Sequence, residues 1–175
     1  MHIEDAQRDV RTVFMGGFAG QLVSGVIWGV SAALGTWHSP RAAILMLAVG
    51  GMFIFPLTQL VLRLMGHRAS LEKGHPMNGL AMQVAFIVPF CLPLIGAASM
   101  HHLNWFYPAF MIVIAVHYLP FIFLYGMRQF GALAATLIAG GLTIGLYMPS
   151  QFSLGGWFTA VVLLVFALAG RSAAK

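Results

Sequence analysis

The sequence predicts an all-α fold, a single polytopic helical bundle over residues 1–175 that crosses a membrane six times, and three observations predict it. First, 60% of the residues are hydrophobic and 7% are charged, with a mean hydropathy of +0.89. A soluble domain carries about a quarter charged residues. Second, the apolar residues gather into six blocks, each near the roughly 20 helical residues that cross about 30 Å of hydrocarbon. Third, threading six spans places Arg8, Arg11, Arg63, Arg68, Lys73, Arg128, Arg171 and Lys175 on one side and only Arg41 on the other. Merging or dropping a span scatters these charges over both faces. Basic loops stay in the cytoplasm, so both termini are expected there, in a plasma membrane such as the bacterial inner membrane. Helix is the state lipid permits, because unpaired backbone groups cost several kcal/mol each and the alternating strands of a barrel are absent.

The elements follow in order. Residues 1–13 form a short cytoplasmic leader in which Ile3, Ala6, Val10 and Val13 recur at helical spacing and Glu4 stands one turn before Arg8. That pattern suits a short interfacial helix, with a frayed polar tail as the alternative. The bundle occupies residues 14–170, with spans from Phe14 to Trp37, Ala42 to Met65, Gly79 to Ser99, Trp105 to Gly126, Phe130 to Met148 and Phe152 to Gly170. Residues 171–175 form a cytoplasmic tail. Acidic residues in the leader, and Gln21 and Ser24 within the first apolar stretch, favour a retained helix over a cleaved signal peptide. Connections of about three to a dozen residues leave no room for a soluble domain between spans.

Several patterns mark protein-facing surfaces. In the first span Gly17, Gln21, Ser24, Trp28, Ser31 and Gly35 recur at steps of three and four, one continuous helical stripe. Small and hydrogen-bonding side chains on one face fit packing within the chain, a pore wall or a dimer interface. Gly16 to Gly20 and Gly25 to Gly29 add two small-xxx-small spacings for close helix packing. Pro56, Pro89, Pro93 and Pro120 fall inside spans, where each removes a backbone donor and clashes with the carbonyl four residues back, so bent helices are expected. Pro89 and Pro93 lie one turn apart and free the carbonyls of Ala85 and Pro89 at mid-membrane depth. Such breaks serve ion or substrate coordination as well as plain packing.

His117 is the one strongly titratable side chain inside a span, one turn before Pro120 and beside Tyr118. It is read as either a functional group or a hydrogen-bonded structural imidazole. Gln21, Ser24, Gln59, Gln83, His117 and Tyr118 are the candidates to line one polar intramembrane site. Thr58, Thr136 and Thr143 also need partners if buried. Glu4, Asp5, Asp9 and Glu72 all lie outside the spans, so carboxylate-driven proton or sodium coupling is not expected.

Function classes narrow accordingly. No HExxH, GxSxG, Walker or dinucleotide-binding motif occurs, and no catalytic residue is assigned. His38, His101 and His102 share the outer side, but adjacent histidines rarely converge on one ion, so no metal and no other cofactor is expected. Cys91, between two prolines, reads as a buried small hydrophobe. The basic residues sit where orientation and the lipid bilayer demand them, which implies no nucleic-acid partner. The best reading is a small transporter or channel-like protein for a neutral or weakly polar solute. Two alternatives stay open. One is a non-catalytic scaffold or accessory subunit of a homo-oligomer or larger membrane complex. The other is a membrane enzyme or a binder of lipid, quinone or haem through His117 and Tyr118.

Overall fold

The computed structural model describes residues 2–148 and 150–173, and Lys175, counted above among the basic residues, lies outside them. Seven α-helices and no strand occur among the described residues. They are α1 (Ile3–Phe14), α2 (Phe18–Trp37), α3 (Pro40–Leu64), α4 (Asn78–His101), α5 (Phe106–Tyr125), α6 (Gln129–Tyr147) and α7 (Leu154–Ala173). Six helical stretches are long and apolar enough to cross a membrane, the first of them including α1 and α2 together. The protein is a multi-pass integral membrane protein.

The leader is helical. Glu4 and Asp5 stand in its first turn and Arg11 in its last, each complementing the helix dipole. Arg8 lies 3.6 Å from Asp5 on the exposed side, and Ala6 and Val10 are buried against the bundle. The first span starts later than its hydropathy predicts, at Phe18 instead of Phe14. Met15, Gly16 and Gly17 adopt φ of 51°, 62° and 85°, a left-handed run that ends α1 and reorients the chain before α2. Glycine takes that conformation at no steric cost, so two of these three positions are chemically suited to it.

The other boundaries have local causes. Ser39 caps α3 by accepting a hydrogen bond from the Ala42 amide at 3.2 Å, with Pro40 in the first turn. Gly126, at φ 63°, closes α5. Pro56, Pro89, Pro93 and Pro120 each lie inside an assigned helix, in α3, α4, α4 and α5 respectively.

α2 is the structural axis, packed along α3 on one side and α7 on another, while α5 packs along α6 and carries α4 on its outer side. α6 meets α7 and closes the set. Small residues permit the tight crossings. A Cβ on Gly25 would stand 2.9 Å from Leu164 Cγ of α7, and one on Gly141 would stand 3.1 Å from the Pro108 carbonyl of α5. The Gly25 and Gly29 face is thus occupied by α7 within the same chain. Gly20 faces Thr58 of α3 instead, and Gly16 is buried in the turn before α2.

α3 and α4 form the periphery. Only 11% of each of these spans is buried, against 44% for the first span and for the span containing α5. Phe53, Phe55, Phe90 and Leu94 project outward from them. Cys91 is a half-buried free thiol on α4.

Contacts draw the basic segments to one end of the bundle. The Arg171 guanidinium lies 5.1 Å from the centre of the Phe18 ring, joining the end of α7 to the start of α2. Gln7 and Arg11 of α1 donate hydrogen bonds to the carbonyls of Phe123 and Tyr125, both at 2.6 Å, covering the open end of α5. The loop of residues 65–77 docks beside them. Buried His75 accepts the Met77 amide on Nδ1 at 3.2 Å and turns Nε2 toward Asp9 of α1 at 3.7 Å.

Candidate functional site

The stripe on α2 is the spine of the site. At one end, Gly17 abuts Phe130 of α6 and Tyr125 of α5. Those rings join Tyr118 and Phe121 in an aromatic cluster, with Tyr125 and Phe130 centroids 5.0 Å apart and Tyr118 stacked on Phe130. About three turns further along, fully buried Trp28 meets Tyr107 and Phe110 of α5 at 5.8 and 5.2 Å. Beyond it Ser31 donates to the Ala43 carbonyl of α3 at 2.8 Å. The Ser31 proton being so used, the Tyr107 hydroxyl donates to Ser31 Oγ at 2.6 Å. One small hydroxyl therefore ties α2, α3 and α5 together.

Gln21 and Ser24 occupy the stripe between these two aromatic layers, and both are buried. Gln21 is 2% exposed, and neither its amide nitrogen nor its oxygen has a hydrogen-bond partner. Thr58 of α3 faces the preceding residue, Gly20. Its Oγ1 lies 3.8 Å from where a Cβ of Gly20 would be, and it too is buried without a partner. Three polar atoms on the facing helices α2 and α3 thus await donors or acceptors. A buried amide or hydroxyl left unpaired costs about 1 to 3 kcal/mol per group. Buried polar groups in proteins are usually paired with protein atoms or ordered water.

The other predicted residues divide. His117 is half-buried and its Nδ1 lies 3.0 Å from the Val84 carbonyl of α4. A carbonyl only accepts, so the proton sits on Nδ1 and Nε2 keeps its lone pair. This bond pins α4 to α5 at the residue preceding Ala85, whose carbonyl Pro89 deprives of its usual donor. His117 also packs edgewise against buried Tyr118 and on Phe121, at 5.6 and 5.1 Å. Gln59 is half-buried on α3 and lines an outward-facing cleft with Pro56 and Leu60. Gln83 is exposed on α4. Thr58 faces Gly20, the residue before Gln21, across α2 and α3, His117 belongs to the α4 and α5 contact, and Gln83 faces outward.

Other polar side chains are settled locally. Thr136 donates to the Ala132 carbonyl one turn back at 2.8 Å, and Thr143 is exposed. His101 and His102 pack around Trp105, with ring centroids at 5.9 and 6.2 Å, and His38 is exposed. Among the described residues no group of three His, Cys, Asp or Glu side chains is placed to hold a metal. Gln129 was not anticipated as a site residue. Its Nε2 is buried without a partner beside Gly170 and the Gly16 carbonyl. Hydropathy places it in a turn, and nothing in local sequence signals that the first and last spans close over it.

A family model described as a family of unknown function, DUF7010, matches residues 3–171. No curated protein and no solved structure matches the chain.

Proposed function

The chain belongs to this family of unknown function, and from its own geometry we propose that it is a small transporter or channel-like protein for a neutral, weakly polar solute. The observation that carries the reading is the unpartnered amide of Gln21, buried between two aromatic layers, with unpartnered Thr58 Oγ1 of α3 facing the preceding residue, Gly20. An amide offers two donors and an acceptor, and a hydroxyl offers one of each, which matches a small solute with both functions. No carboxylate lies in α2 to α7, so the solute moves down its gradient without proton or sodium coupling.

In this reading both termini and the basic end of the bundle face the cytoplasm, in a plasma membrane or bacterial inner membrane. Pro56 and Pro120, with the Pro89 and Pro93 pair, supply bends that let α3, α4 and α5 move relative to α2. Ser24 lines the path beside Gln21. His117 positions α4, with Tyr118 as its aromatic support.

The test is stopped-flow light scattering of liposomes holding the purified chain, challenged with glycerol or urea. Gln21→Leu and Thr58→Val are each expected to abolish the protein-dependent flux. Native flux in both variants overturns the proposal.

A second reading is favoured by the outward apolar faces of α3 and α4, which suit a subunit seated against another membrane protein or a second copy. Cross-linking in lipid nanodiscs from Phe53→Cys and Phe90→Cys separates the two. A cross-linked oligomer without solute flux supports the subunit role.

A further inference from the structure

At the basic end of the bundle, two open clefts beside α3 meet at Arg63 and Ser70, which line both, and together they form a groove. The first, of about 510 Å³, is lined by Phe55, Pro56, Gln59 and Leu60 and ends at Arg63 and Ser70. The second, of about 430 Å³, continues from Arg63 and Ser70 past His67 and Arg68 into the loop. The groove therefore runs from an apolar trough on a membrane-facing helix to a polar basin at the helix end.

Several contacts place the loop that borders the groove. The loop turns back at once, with the His67 amide bonded to the Leu62 carbonyl at 2.9 Å. Ala69 is buried with Leu62 and Ala19, which fixes the neighbouring Ser70 over α3. The far side of the loop packs near α1, with His75 Nε2 3.7 Å from the Asp9 carboxylate.

The charge of the basin is unspent. Arg63 is exposed and makes no ion pair among the described residues. Arg68 is held only by Glu72 at 3.0 Å, with both side chains largely in the open, and such pairs contribute about 0 to 1 kcal/mol. Glu72 is the one carboxylate in the basin and is already engaged. The basin thus offers net positive charge and hydroxyl or amide donors, but no free anion for a choline headgroup.

We infer that this groove is a binding site for one anionic phospholipid, whose phosphate sits between Arg63, Ser70 and Arg68 while an acyl chain lies along Phe55, Pro56 and Leu60. Phe55 is 71% exposed and Leu60 50% exposed, so the acyl chain has apolar surface to cover. Basic clefts at the ends of membrane helices recognise anionic headgroups by this chemistry. The site is separate from the Gln21 layer and does not depend on the transport reading.

The experiment is native mass spectrometry of the full chain, stripped of lipid in detergent and titrated with dioleoyl phosphatidylglycerol or phosphatidylcholine. One phosphatidylglycerol is expected to bind in preference to phosphatidylcholine. Arg63→Gln should weaken it about fivefold, as about 1 kcal/mol per basic residue implies. Arg41→Gln, at the other end of the bundle, should leave it unchanged. Phe55→Ser should weaken the long-chain lipid more than its dihexanoyl analogue. Native affinity in Arg63→Gln, or equal binding of the two headgroups, overturns the assignment. Competition by inorganic phosphate as effective as that by long-chain lipid also overturns it, in favour of a free-anion site.

Discussion

Replacing Gln21 by Leu removes an amide that the protein buries without a partner, so stability and activity should part company. The thermal midpoint in detergent should stay level or rise, because about 1 to 3 kcal/mol of unpaired polar burial disappears, while solute flux is lost. A fall in both would mark Gln21 as a packing residue. Ser31 predicts the opposite pattern. Ser31→Ala strands the Tyr107 hydroxyl between α2 and α5 and should lower stability by about 1 to 3 kcal/mol in denaturant titration. At this scale the sequence was only partly legible. The spacing of Gln21, Ser24, Trp28 and Ser31 marks a single protein-facing stripe, but which of them meets a partner depends on Tyr107, 76 positions from Ser31. Gln83 looks like Gln21 on paper and yet is exposed. α4 is apolar on all sides, so hydropathy does not say which way it is turned.

The helices themselves were easier to read, since hydrocarbon thickness and proline and glycine signals set their ends within a few residues. The exception was the start of α2, where a left-handed run at Met15, Gly16 and Gly17 overrides continuous hydropathy. The crossing of α2 and α7 gives this scale its prediction. A methyl added at Gly25 would press on Leu164 and the Ala160 carbonyl, so Gly25→Ala should cost about 1 to 3 kcal/mol. Gly29→Ala, with 3.7 Å to the nearest atom, should cost measurably less in the same denaturant titration. Equal losses would show that α7 does not sit this close. The leader helix has its own test. Arg11→Gln removes a cation from the end of α5, and a loss of about 1 kcal/mol is expected.

At the level of the whole molecule, the six apolar stretches are what composition foretold best. The positions of Arg8, Arg63, Lys73 and Arg171 in the chain already require an even number of crossings, and the contact between Arg171 and Phe18 joins the ends of the first and last spans. Cysteine labelling assigns that end to a compartment. In a Cys91→Ala background, an impermeant maleimide applied outside intact cells should label Met100→Cys and leave Lys73→Cys untouched; the reverse pattern inverts the topology. The seat of the leader helix carries a further consequence. Gln7 and Arg11 leave the ribosome early, yet the carbonyls they cover belong to Phe123 and Tyr125, 116 and 114 positions later. Until the fourth span is inserted, Gln7 and Arg11 lack the carbonyls they cover. The leader is therefore a latch that closes only after the chain has reached the end of α5.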